Sequence, residues 1–283
     1  MDLSDKVAVI TGAAGGIGLG LARACLAEGM SVTMSDVDGA RLNEAAEELI
    51  TAGASVMAHS CDVRELHQVE ELRDAAARRF GRVDVVCNNA GVAVARPVPE
   101  CGNGEWSLHF DVNVRGVANG IQAFLPMLIE QTSGHICSTA SLAGLKGNLD
   151  LVIYSGTKFA VVGIMESLAV EMRRDHPGIS CSVLCPAAVA TDLMATSSER
   201  LVDTGSEPSD TSERAAQVAA FLASGLHPDE VGRIAVDGIK AGHFWLLSHP
   251  ELTFELLDRR HQAMQRRELY VDQDWARPRA AQD

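Results

Sequence analysis

The chain has 283 residues, 47% apolar and 22% charged, a composition that supports a sizeable core and excludes disorder as its main state. Its formal charge of −14 and pI near 5.0 exclude the broad basic face that nucleic acid or an anionic membrane surface would require. No uninterrupted apolar run reaches the about 20 residues of a membrane span, and the N-terminus enters a strand directly, so a cytoplasmic protein without a membrane partner is expected.

Short apolar runs alternate with longer segments of helical periodicity, the pattern of a parallel sheet covered by helices on both faces. Strands are predicted over 6–10, 31–35, 54–59, 83–87, 135–139, 179–185 and 243–247. Helices are predicted over 17–28, 39–52, 65–79, 104–131, 152–175, 211–224, 228–240 and 250–268. The fold class is therefore α/β, a doubly wound parallel sheet of about seven strands. One stretch, RIAVDGIK at 233–240, resembles a closing strand. The helix reading is better, because His227-Pro228-Asp229-Glu230 forms a start signal and Val231, Ile234, Ala235 and Ile239 recur on one helical face. The stretch 195–212 is rich in Ser, Thr, Asp and Glu and reads as a mobile loop, about 192–212 with its flanks. One catalytic domain is expected over 1–249, and a helical extension and tail over 250–283. Leu252, Leu256 and Leu257 alternate there with arginines, a face suited either to covering a site mouth or to joining a second subunit.

The first strand runs into TGAAGGIG, placing Gly12, Gly16, Ile17 and Gly18 between strand and helix. Glycines there permit positive φ and close backbone approach to a pyrophosphate, while the helix N-terminus favours the anion. Asp36 ends the second strand 18 residues after Gly18, where a carboxylate can accept hydrogen bonds from ribose hydroxyls and repel a 2′-phosphate. The glycine turn reads Ala13-Ala14-Gly15, with no basic residue to neutralise that phosphate. NAD is the expected cofactor and NADP the alternative.

The motif TGAAGGIG resembles the TGxxxGxG signature of short-chain dehydrogenases/reductases rather than the GxGxxG of other dinucleotide folds, and the resemblance extends from residue 6 to about 192. It implies a Rossmann-like fold, Asp62 and Val63 beside the adenine, and Asn89-Ala90-Gly91 supporting the central sheet and lining the cofactor. In the family's spacing, Ser141 precedes Tyr154 by thirteen residues and Asn113 lies further upstream. The resemblance gives Asn113 the anchoring of a water relay to the lysine. Tyr154 and Lys158 are an i,i+4 pair on one helical face, so a nearby ammonium is expected to favour the phenolate and fit the tyrosine for acid/base work. Ser141 can donate to a carbonyl or alcohol oxygen as charge develops there. Ser138 is a rival at the wrong spacing. Further on, CPAAVATDL resembles the family's PGxVxT, with Pro186, Val189 and Thr191 kept and Ala187 in place of glycine, a departure that leaves the local turn open.

Val92, Leu142 and Leu149, joined by Leu193 and Met194, are expected to line an apolar substrate pocket. The expected activity is NAD-dependent hydride transfer involving a hydrophobic secondary alcohol or ketone, in a homodimer or homotetramer. Rival readings are an NADPH carbonyl reductase and a non-catalytic dinucleotide sensor. The seven cysteines follow no ligand spacing, so no metal is expected.

Overall fold

In the computed structural model of the chain, residues 1–202, 218 and 220–271 are described. Seven parallel strands form one sheet: β1 (Val7–Thr11), β2 (Ser31–Asp36), β3 (Val56–Ser60), β4 (Val85–Asn88), β5 (Gly134–Thr139), β6 (Ile179–Cys185) and β7 (Trp245–Leu247). Their spatial order is β3-β2-β1-β4-β5-β6-β7. The chain winds outward from β1 to β3 and then crosses back to β4 on the other side of β1. That reversal opens a crevice at the carboxyl ends of β1 and β4, the place where such sheets bind ligands.

The helices are α1 (Gly16–Ala27), α2 (Gly39–Thr51), α3 (Leu66–Phe80), α4 (Asn103–Phe110), α5 (Gly116–Gln131), α6 (Val152–Asp175), α7 (Leu193–Val202), α8 (Pro228–Ala241) and α9 (Pro250–Gln265). Every residue of β1 and β4 is buried, as expected where helices cover both faces. Alternate side chains of β1 serve different cores. Ala8 and Ile10 join Leu21, Val231 and Ile239 under α1 and α8, whereas Val9 joins Leu72, Phe124 and Met165 under α3, α5 and α6. Gly20 and Gly232 let α1 and α8 meet backbone to backbone, since a Cβ on Gly232 would lie 2.2 Å from the Gly20 carbonyl oxygen. By length and mean hydropathy α6 could cross a membrane, but Val161, Met165, Leu168 and Met172 are spent on the sheet.

The segment 228–240 is helical, with the His227 ring accepting from the Asp229 amide at the start and Gly242 at φ 73° at the end. Two expectations change. The helix predicted over 104–131 is interrupted by a π-helical turn at Asp111–Arg115. The loop predicted over 195–212 begins instead as α7. Its Thr196, Ser197 and Ser198 hydroxyls donate to carbonyls in the preceding turn instead of breaking the helix, and Leu201 is fully buried beside Val92, Leu108 and Val112. The remainder of that loop lies outside the described residues, as does most of the helix predicted over 211–224, of which 220–223 are helical.

Candidate active site

A cleft of about 1150 Å³ lies over the carboxyl edge of the sheet. Gly12, Gly16, Ile17 and Gly18 form one wall, and the backbone geometry explains the glycines there. Gly12 sits at φ 65°, and a Cβ on Gly18 would fall 2.0 Å from the Gly12 carbonyl oxygen and 2.8 Å from Asn89 Nδ2. Gly15 precedes α1 with no side-chain cap, so first-turn amides face the cleft without a side-chain acceptor. Thr191 closes the other side of this cradle, its Cγ2 3.2 Å from where a Gly16 Cβ would stand. These residues fit a dinucleotide pyrophosphate.

Asp36 stands at the end of β2, with Oδ2 accepting from the Ala14 amide at 3.3 Å and Oδ1 from the Asp38 amide at 3.1 Å. Asp62 and Val63 border the same end of the cleft. Burial raises the Asp62 pKa, but hydrogen bonds from Arg64 outweigh it and hold the carboxyl below its ordinary value. Asn89 ties three strands together: it donates to the Thr11 and Gly12 carbonyls at 3.0 and 3.3 Å and accepts from Thr139 Oγ1 at 3.0 Å. Ala90 and Gly91 continue the floor. Pro186 and Val189 line the far end, where the Pro186 carbonyl accepts from the Leu142 amide at 2.8 Å. Ala187 has no positive φ, and its amide donates to Ser248 Oγ at 3.1 Å, so the turn that carries glycine in the family accommodates alanine without strain.

Tyr154 and Lys158 share a face of α6, with the Lys158 ammonium 5.6 Å from the Tyr154 ring centroid. The ammonium also donates to the Thr139 carbonyl at 2.8 Å. Ser141 Oγ accepts from the Ala143 amide at 3.1 Å and lies in hydrogen-bonding reach of the Tyr154 hydroxyl. The electrostatics differ from the expectation. Burial raises the Tyr154 pKa, which the bond to Ser141 only partly offsets, and burial lowers that of Lys158 to about 8. The lysine's desolvation reduces the very charge that was to favour the phenolate.

Asn113 lies behind this wall, fully buried on the π-helical turn. Its side chain brackets Val92, accepting from the Val92 amide at 2.8 Å and donating to the Val92 carbonyl at 2.9 Å and to Thr157 Oγ1 at 3.0 Å. The extra backbone residue of a π turn re-aims a helical side chain, and here it turns Asn113 toward both the Val92 strand extension and α6. Gly91 leaves the space between them clear, since a Cβ there would lie 3.2 Å from Asn113 Oδ1 and 3.5 Å from Lys158 Nζ.

Val92, Leu142, Leu149, Leu193 and Met194 all line the cleft, Leu149 at the mouth with 51% exposure. Sequence reasoning missed Phe221 and Leu222, and did not decide where Leu252 and Leu256 of α9 would go; all four line the same cleft. It also missed Arg41, Arg64 and Arg200 around the Asp36 end. Among the described residues no group of three or more His, Cys, Asp or Glu side chains could hold a metal.

Residues 6–201 match the family model described as short chain dehydrogenase. A CLA biosynthesis dehydrogenase/reductase of Lactiplantibacillus plantarum is 31% identical over 266 residues, covering 91% of this chain and 93% of that protein. A diacetyl reductase, (S)-acetoin forming, of Staphylococcus epidermidis is 36% identical over 199 residues, covering 70% of this chain and 77% of that protein. Among solved structures, a short chain dehydrogenase/reductase from Burkholderia phymatum in complex with NAD superposes with a TM-score of 0.90 at 33% identity, covering 96% of this chain and 98% of that one.

Proposed function

The chain belongs to the short-chain dehydrogenase family, and from that premise we propose that it is an NAD-dependent oxidoreductase acting on a hydrophobic secondary alcohol or ketone. The observation that carries this reading is the convergence of Ser141, Tyr154 and Lys158 at the apolar end of a cleft whose other end presents Asp36. Bound nicotinamide supplies or accepts the hydride. Tyr154 passes the proton, taking it from the alcohol in oxidation and giving it to the carbonyl oxygen in reduction. Ser141 donates to that same oxygen and keeps it beside the phenol. Lys158 places a positive charge behind the tyrosine, and Asn113 fixes the backbone at Val92 that closes the floor. Val92, Leu142, Leu149, Leu193 and Met194, with Leu252 and Leu256, exclude water around the reacting carbon and suit an apolar substrate.

In the same reading Gly12, Gly16, Ile17 and Gly18 seat the pyrophosphate, Asp62 and Val63 border the adenine, and Asn89, Ala90 and Gly91 support the nicotinamide half. Pro186, Val189 and Thr191 close over it. The complex of the Burkholderia phymatum relative with NAD supports this cofactor. Exposed Trp106 and Phe110 on α4, stacked at 6.1 Å, and exposed Phe159 and Val170 on α6 support self-association as a homodimer or homotetramer.

Replacing Asp36 by Ala tests the cofactor assignment. Loss of hydrogen bonds to a charged acceptor should weaken NAD by about 1–3 kcal/mol and shift kcat/KM toward NADP. Steady-state kinetics with each cofactor at a fixed alcohol measures it. A wild type that favours NADP, or an unchanged preference in the variant, would remove Asp36 from ribose recognition.

A further inference from the structure

Asp36 is not a bare carboxylate. Arg200, two residues before the end of α7, places Nη2 3.3 Å from Asp36 Oδ1 across 164 residues of sequence. The carboxylate is 10% exposed and the arginine 33%, so solvent screens the pair only in part. The position of α7 is fixed by its neighbours. Next along the helix, Leu201 is fully buried, and Ser197 Oγ accepts from the Ala93 amide at 2.9 Å. The two other cleft arginines are differently engaged. Arg64 grips Asp62 with Nε at 2.9 Å and Nη2 at 2.6 Å from Oδ2, while Arg41 lies 3.9 Å from Asp192 near the glycine turn. Arg200 therefore stands nearest the acid that reads the ribose, on the helix that also carries Leu193 and Met194.

Building on the nicotinamide reading above, we propose that Arg200 sets cofactor selectivity by neutralising Asp36 and offering its guanidinium to a 2′-phosphate, so that the chain binds NADP as well as NAD. A 2′-phosphate brought to Asp36 alone meets only repulsion at short range. With Arg200 beside it, the same phosphate meets an adjacent cation whose planar N–H groups match its oxygens. The ribose hydroxyls of NAD, being uncharged, depend little on that cation and compete with it for Asp36 Oδ1. Removing Arg200 therefore acts on the two cofactors unequally. Removing Asp36 leaves Arg200 free to grip the phosphate.

Calorimetric binding of NAD and NADP to the whole chain, without substrate, tests this independently of turnover. In the wild type NADP should bind within about tenfold of NAD, a modest discrimination for one like charge beside a compensating cation. Arg200→Ala should weaken NADP by about tenfold or more while NAD binding holds or tightens. Arg200→Lys, which keeps the charge without the planar fork, should fall between them. Asp36→Ala should turn the preference toward NADP, and Arg200→Ala should cost NADP more in that background than in the wild type, a coupling that two independent residues would not show. An Arg200→Ala variant that binds both cofactors equally more weakly, or with the wild-type ratio, overturns the proposal and leaves Arg200 as a clamp on α7. A wild type that binds neither dinucleotide overturns the nicotinamide reading itself, and this proposal with it.

Discussion

Tyr154→Phe should reduce kcat by about two to four orders of magnitude, the range typical of a lost general acid/base, while leaving NAD affinity within a few fold. The ring remains to fill its place on α6, so only the proton-carrying oxygen is lost. Ser141 keeps its contact with the Ala143 amide and stays within 3.4 Å of the Pro186 carbonyl, and no buried donor is stranded by the change. The fold should therefore be unaffected and the thermal midpoint close to wild type. Single-turnover kinetics with saturating cofactor isolates the chemical step. Turnover within a few fold of wild type would assign the proton transfer to another group.

Lys158→Met should be as damaging to turnover, yet it should alter stability in a way that depends on pH. The Lys158 pKa falls from 10.5 to about 8 because burial disfavours the ammonium. The unfolded chain then binds more protons than the native one between those values, so the lysine's contribution to stability increases as pH rises from about 8 to 10.5. Below that window the native state carries the full cost of a desolvated cation, on the order of a few kcal/mol, and above it the cost is gone. Methionine carries no such cost, although the Thr139 carbonyl loses its 2.8 Å donor. The variant should thus gain on wild type at neutral pH and lose that advantage toward pH about 10, where the difference in proton uptake has vanished. The buried thiols of Cys61 and Cys181, pushed up to about 12, weaken the fold at high pH in both proteins and cancel in the comparison, whereas the Cys185 thiol, which Lys158 pulls down in part, rises further in the variant and adds to its loss toward high pH. Thermal midpoints of wild type and variant across this range measure the difference. Parallel curves would mean that the lysine is not desolvated.

The features legible in the sequence are those whose signal is local. Strand–glycine–helix at the start of the chain, an acid at the end of β2 and a Tyr–Lys pair one helical turn apart each lie within a few residues, and the fold brings them to one cleft. The π-helical turn was hidden because one inserted residue leaves the apolar periodicity of 104–131 almost intact. The beginning of α7 was hidden by composition. Its hydroxyl residues suggest a loop until their bonds to preceding carbonyls and the burial of Leu201 are seen. The amphipathic character of α9 was readable, but only tertiary contacts show that Leu252 and Leu256 face the cleft. Arg200 was out of reach for the same reason: nothing near residue 200 in the sequence marks it as a partner of Asp36. The direction of the Tyr154 pKa was misjudged because spacing gives the distance to a cation and says nothing of how dry the site is.

The most direct measurement of the central claim is the reduction of NAD by a panel of hydrophobic secondary alcohols, each labelled with deuterium at the carbinol carbon. The reduced nicotinamide absorbance and the isotope content of the cofactor are followed together. Wild type should produce deuterated reduced cofactor with at least one alcohol, and Tyr154→Phe should produce almost none at equal cofactor occupancy. Cofactor that binds but remains oxidised with every alcohol in the wild type, with NADP as with NAD, would contradict the account and leave the cleft a dinucleotide-binding site without hydride transfer.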